Sequence, residues 1–140
     1  MPQFEAPDQD GRIVRSSDFA GRKLVVYFYP KDSTPGCTSE ACNLRDNYHR
    51  FLAQGYEILG ISRDSVVSHK RFEEKYGLPF RLLSDPATDI LQAFGAWGEK
   101  RNYGKVSVGT LRKTFVFNEF GILERIIDKV DTKNHTDQLI

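Results

Sequence analysis

Apolar residues fall in two alternating rhythms along this chain, short unbroken runs and longer stretches at helical spacing. The run Leu24-Val25-Val26-Tyr27-Phe28-Tyr29 is continuous, β-branched and aromatic, which predicts a strand buried on both faces. Residues 57–61 predict a second strand. Between the two, Leu44, Tyr48, Phe51 and Leu52 recur at helical spacing, so the pattern predicts one helix from Thr34 to about Gln54, stopped by Gly55. Val66–Tyr76 predicts a helix closed by Gly77 and Pro79, 80–83 a short extended run, and 88–94 a helix ending at Gly95. Residues 113–117 and 122–128 predict a hairpin across Asn118-Glu119-Phe120-Gly121, and 135–140 a last helix. Near the start, a turn at 8–11 precedes a short strand at 12–14 and one helical turn at 18–20. Residues 96–111 carry glycines but no clear period and read as a long connection.

Strand, helix, strand and helix, then a hairpin and a helix, imply an α/β fold. Its centre is a mixed sheet with helices on both faces and a right-handed first crossover. Sheets of this kind place working residues at the carboxyl ends of their parallel strands, which here is the 30–37 loop. With 140 residues, positions 1–140 fit one domain. A hydrophobic fraction of 39% and a charged fraction of 28% are those of an ordinary soluble globular protein, and a net charge of +1 gives no electrostatic reason to expect nucleic acid or an anionic membrane. No apolar run approaches the ~20 residues that span a bilayer. Met1-Pro2-Gln3-Phe4-Glu5 lacks the basic start and apolar run of a signal peptide, so the expected location is the cytoplasm. In that reducing compartment a cysteine pair is more often catalytic than structural.

The two cysteines, Cys37 and Cys42, follow the turn Pro30-Lys31-Asp32-Ser33-Thr34-Pro35-Gly36. Thr34 suits an N-cap and Pro35 the first helical position, so Cys37 is third, where the Thr34 side chain can cap its N–H. Its sulfur then meets free backbone N–H groups and the positive end of the helix dipole, which favour thiolate, the reacting form. Residues five apart on a helix are about 7.5 Å apart along the axis and rotated by about 140°. A disulfide needs Cα atoms within roughly 7 Å and converging Cβ vectors. Cys37 and Cys42 therefore either never pair or pair only when the first turns of the helix unwind.

Other chemistries have weaker support. Two thiolates with His49, His69 and His135 offer metal ligands, but none has finger or ribbon spacing, and His49 and His69 read as exposed helical residues. Asp32, Asp46, Asp64, Asp85 and Asp89 are scattered, and Ser62 and Ser84 lack a nucleophile-elbow context. Arg112 stands just ahead of a strand expected to be central. It reads either as a solvated strand-end cation or as a fixed charge beside the thiolate that holds an oxygen-bearing substrate.

The segment from Tyr27 to Cys42 resembles the active-site segment of peroxiredoxins, and more narrowly of the bacterioferritin comigratory protein, or peroxiredoxin Q, subfamily. Pro30, Thr34 and Cys37 meet the family pattern of proline, three residues, Thr or Ser, two residues and the reactive cysteine; Cys42 meets the resolving cysteine five residues on. Similarity continues through 59–62, 82–85, Trp97-Gly98-Glu99-Lys100, 103–105, Arg112 and Asn134-His135. The resemblance implies a thioredoxin-like fold and an atypical two-cysteine, thioredoxin-dependent peroxidase acting on hydrogen peroxide and organic hydroperoxides. It makes Cys37 the attacking sulfur, which becomes a sulfenic acid. Thr34 holds thiolate and peroxide by hydrogen bonds, Arg112 stabilises both, and Pro30 shapes and shields the pocket. Cys42 then closes an intramolecular disulfide, reduced by thioredoxin or a similar dithiol. No metal, haem or flavin is required, and the expected state is a monomer, with a weak dimer as the alternative. Family members usually carry residues ahead of the Phe4 position and continue past that of Ile140. Two rivals remain: a peroxide-sensing switch using the same disulfide, and a thioredoxin-type thiol–disulfide oxidoreductase. The latter predicts Cys-x-x-Cys and a proline before the late strand, whereas the last proline here is Pro86.

Overall fold

Alternation along the first long strand divides the core in two. In the computed structural model, which describes residues 1–140 apart from the Asn102 side chain, β3 (Lys23–Phe28) sends Leu24, Val26 and Phe28 to one side and Val25 and Tyr27 to the other, where Tyr29 follows. A strand in the middle of a sheet with both faces covered needs apolar residues at every position, which is why the run is unbroken.

The central sheet has five strands in the order β5 (Arg81–Ser84), β4 (Tyr56–Ser62), β3, β8 (Lys113–Phe117) and β9 (Leu123–Ile127). β3, β4 and β5 are mutually parallel, and β8 and β9 add antiparallel. One face carries the helices α1 (Pro35–Asp46), α2 (Tyr48–Ala53), α3 (Val66–Tyr76) and α5 (His135–Leu139). The other face packs α4 (Asp89–Ala93) and the small hairpin of β1 (Glu5–Pro7) with β2 (Ile13–Arg15). The expected mixed sheet with helices on both faces is therefore present.

Gly60 shows how tightly the helix-side core is filled. A Cβ there would lie 2.9 Å from the Tyr27 ring and from Leu82, so only glycine lets the Tyr27 ring lie across β4.

Three expectations need correction. The helix expected to run from Thr34 to Gln54 is two helices, because α1 ends at Asp46 and the chain bends at Asn47, whose side chain donates to the Asn43 carbonyl at 2.8 Å. Residues 96–111 are not a connection: β6 (Trp97–Asn102) and β7 (Lys105–Thr110) form an antiparallel ribbon turned at Tyr103-Gly104, both at positive φ. Residues 105–108 of β7 are all exposed, so no burial pressure writes an alternating pattern there. His69, expected on the surface, is completely buried.

Candidate active site

α1 begins where β3 has just left the sheet, and its first turn carries the reactive candidate. Thr34 is the N-cap, Pro35 the first helical residue and Cys37 the third, as the sequence indicates. The capping bond is different: the Thr34 hydroxyl donates to the Lys31 carbonyl at 2.8 Å and makes no bond to the helix N–H groups. That bond closes the turn 31–34, in which Ser33 has φ 63°. Pro30 starts the turn and is half-buried.

Cys37 is buried among Tyr27, Tyr29, Ala41 and Leu44. Its Sγ accepts a hydrogen bond from Arg112 Nη2 at 3.3 Å. The parity of β8 explains the approach, since Arg112, Thr114 and Val116 fall on the helix side while Phe115 and Phe117 fall on the opposite side. Of the two readings of Arg112, the geometry selects the fixed charge beside the sulfur. Gly36 lies alongside it, with the position of a Cβ there 3.4 Å from Arg112 Nη2, at ordinary contact distance.

Arg112 also donates from Nη1 to Glu40 Oε1 at 2.7 Å. Burial lowers the pKa of the guanidinium, but Glu40 and Cys37 outweigh it and leave it raised, so the cation is permanent. Glu40 is the functional candidate that sequence reasoning missed. It sits at i+3 from Cys37, inside the buried stripe Cys37, Glu40, Ala41 and Leu44, and a charge in such a stripe is the available signal. Burial pushes its carboxyl up to about 7, with Arg112 opposing. Beyond Glu40 lies His135 of α5, buried and held below its ordinary value first by burial and then by Arg112.

Cys42 is partly exposed and lies on the same uninterrupted helix, off the buried stripe, and both cysteines are free thiols. α1 is tied to α5 at the next residue, where the Asn43 side chain donates to the Lys133 carbonyl at 3.1 Å and accepts from the Thr136 N–H at 2.8 Å. Asn43 thus performs from α1 the capping that Asn134 leaves undone on α5.

A second buried cluster supports the reactive turn from behind. Asp32 accepts from the Tyr29 hydroxyl at 2.6 Å and from Ser68 at 2.8 Å and faces His69 Nδ1 at 2.7 Å, while His69 Nε2 faces the Leu83 carbonyl at 2.9 Å. The Asp32 N–H donates to Asp64, which also accepts from Ser62. Two of the five acids that looked scattered in sequence, Asp32 and Asp64, are therefore assembled here. Asp32, Asp64 and His69 bring ligand-type atoms within 4.8 Å of one another, but those atoms are already engaged in the hydrogen bonds just described. Hydrogen bonds within the group and to Tyr29, Ser62 and Ser68 hold it together. His49 is exposed and takes no part, and no cysteine joins a metal cluster among the described residues.

A buried cysteine at a helix start, bonded by a permanent arginine cation, agrees with the family whose profile matches residues 1–126, AhpC/TSA. The chain belongs to the AhpC/TSA family. It is 45% identical over 139 residues to peroxiredoxin Bcp of Escherichia coli K12, covering 99% of this chain and 89% of that protein. Peroxiredoxin Bcp of Bacillus subtilis 168 is 41% identical, with 99% and 88% covered. Among solved structures, the bacterioferritin comigratory protein of Xanthomonas campestris superposes with a TM-score of 0.91 at 38% identity, over 97% of this chain and 87% of that one. BcpB of Mycobacterium tuberculosis superposes at 0.86 with 32% identity, over 99% and 89%. Within AhpC/TSA the chain is thus a peroxiredoxin of the Bcp and peroxiredoxin Q type, with a thioredoxin-like fold. Among the described residues no helix is long and apolar enough to cross a membrane.

Proposed function

We propose that this peroxiredoxin reduces hydrogen peroxide and organic hydroperoxides through Cys37, resolves the product with Cys42, and is recycled by thioredoxin or a similar dithiol in a reducing cytoplasm. The observation that carries the reading is the Arg112 guanidinium 3.3 Å from a buried sulfur at a helix N-terminus. Similarity to the Xanthomonas protein, described for its alkyl peroxide reduction activity, supports organic hydroperoxides as substrates.

The Cys37 thiolate attacks the terminal peroxide oxygen. An S–O bond forms, the O–O bond breaks, and the leaving hydroxide or alkoxide takes a proton to become water or an alcohol. Arg112 stabilises the charge as it moves from sulfur to the departing oxygen. Thr34 gives its hydroxyl to the peroxide by letting go of the Lys31 carbonyl, and Pro30 shields the turn. Cys42 sulfur then attacks the sulfenic sulfur; an S–S bond forms, the S–O bond breaks, and hydroxide leaves with the Cys42 proton as water. This second step requires residues 37–42 to leave the helical form. The external dithiol returns two electrons and two protons.

Peroxide consumption in three proteins tests the assignment. Cys37→Ser is expected to consume none, and Cys42→Ser about one equivalent before stopping as the sulfenic acid, while the wild type turns over with thioredoxin. Wild-type rates in the Cys37→Ser protein would remove the reading. Peroxide uptake that stops at one equivalent in the wild type with thioredoxin present would favour the sensor.

A further inference from the structure

Glu40 lies between Cys37 and Cys42 on the segment that has to unwind, and its carboxyl is linked to the Cys37 sulfur through Arg112. Oε1 accepts from Arg112, but Oε2 is buried with no hydrogen-bond donor among the described residues. It faces Nε2 of His135 at 3.5 Å, and both side chains are fully closed to solvent. The orientation of Gln138 sets the His135 tautomer. Its Oε1 accepts from the Asp131 N–H at 2.9 Å and its Nε2 donates to the Lys129 carbonyl at 2.9 Å, so the oxygen is the atom 2.7 Å from His135 Nδ1. Nδ1 therefore carries the ring proton, and Nε2 is the acceptor that receives the Thr114 hydroxyl at 2.8 Å.

Glu40 therefore turns one oxygen toward a lone pair in a dry site. Ionised, that oxygen is desolvated without a donor, which is costly. Protonated on Oε2, it brings no charge into that site and no longer sets a desolvated anion against the filled Nε2 lone pair. We infer that Glu40 and His135 form a proton-operated latch on α1, holding residues 37–42 helical against α5 while the carboxyl is protonated and loosening them once it ionises. The role of the latch in disulfide formation rests on the peroxidase reading, but its existence does not.

The direction follows from linkage. In the closed helix burial raises Glu40 to about 7, whereas an unwound segment in water restores its ordinary 4.5. Between those values the closed form holds a proton that the open form lacks, so its advantage is full below 4.5 and is lost as pH rises through about 7. The other groups around the carboxyl are Arg112 ahead of β8, Cys37 on α1, His135 on α5 and Tyr27 on β3, with Lys100 on β6 coupled to Arg112 and Cys37. Arg112 stays cationic, the Tyr27 hydroxyl is kept protonated by burial and by Glu40, and burial and Arg112 lower Lys100. Burial and then Arg112 lower His135 from its ordinary value, which favours the neutral ring whose Nε2 is an acceptor and not a counter-charge.

Amide hydrogen exchange across residues 38–42 of the reduced full chain, referenced to β4, tests the latch in wild type and in Glu40→Gln from about pH 5 to about pH 9. Glutamine keeps the shape of the protonated carboxyl and never ionises. At the acid end the two proteins should be equally protected. Through about pH 7 the wild type should lose protection relative to the variant, by on the order of 100-fold at most. A pH-independent ratio, or faster exchange in the variant at alkaline pH, overturns the inference. Should the variant not fold, the wild-type ratio of 38–42 to β4 must still show the step near pH 7, and a flat ratio overturns it equally. Peroxide consumption measured on the same samples separates the two claims, since a step without consumption keeps the latch and removes the peroxidase, and consumption without a step does the reverse.

Discussion

Two buried polar clusters flank the reactive turn, and they differ in how well they are satisfied. Behind the turn, the Asp32 carboxylate receives donors from Tyr29 and Ser68 and faces His69, both of whose nitrogens have partners. Beneath Cys37, the Glu40 carboxyl receives donors from Arg112 on one oxygen and none on the other. The buried side-chain atoms without partners among the described residues are Tyr27 Oη, Thr38 Oγ1 and Glu40 Oε2, and none of them belongs to the Asp32 cluster. A saturated network fixes one geometry, whereas an incomplete one leaves an alternative within reach. In the proposed mechanism the saturated cluster ties down the turn that keeps its shape while peroxide reacts, and the incomplete one sits on the helix that opens afterwards.

The sharpest way to break this comparison is His69→Ala. It leaves the Asp32 carboxylate buried without its closest ring partner, and a loss of about 3–5 kcal/mol is expected in denaturant unfolding. A loss under about 1 kcal/mol would mean that the cluster is not what holds the turn. Arg112→Ala should have a smaller effect and of another kind. Peroxide consumption should fall by about 10–100-fold, the scale of one charge-assisted hydrogen bond, measured as the rate of sulfenic acid formation. Unfolding stability should change less than in His69→Ala, because Glu40, already raised to about 7, can take up a proton when its cation is removed. A larger stability loss in Arg112→Ala than in His69→Ala would invert the comparison.

These clusters also mark where the sequence is readable. Periodicity located β3, β4, α3 and β8, because each has a buried face that writes a pattern of period two or 3.6, whereas β9, exposed at four of its five positions, was found through the turn at Asn118–Gly121 that joins it to β8. The β6–β7 ribbon has little buried surface along β7 and so left no pattern. The bend at Asn47 was hidden because the residues on either side are compatible with helix, and it depends on one side-chain bond to the Asn43 carbonyl. At the site, the Thr34–Cys37 helix start and the five-residue spacing to Cys42 were visible because they are local. Partnership between Glu40 and Arg112 spans 72 residues and that between Asp32 and His69 spans 37, so neither is written in any short window. His69 misled for a related reason, since a polar residue on an amphipathic helix looks exposed until its partners on other elements are known.

The central claim is that one sulfur attacks and another, out of reach on the same intact helix, closes on it after the helix opens. Peptide mapping by mass spectrometry of the reduced protein, treated with one equivalent of hydrogen peroxide and then alkylated, tests this most directly. The account predicts a single intramolecular Cys37–Cys42 disulfide, two hydrogens lighter than the dithiol, with neither sulfur alkylated. Cys37 trapped as an oxygenated sulfur beside an alkylated Cys42, or a disulfide between two chains, would contradict it.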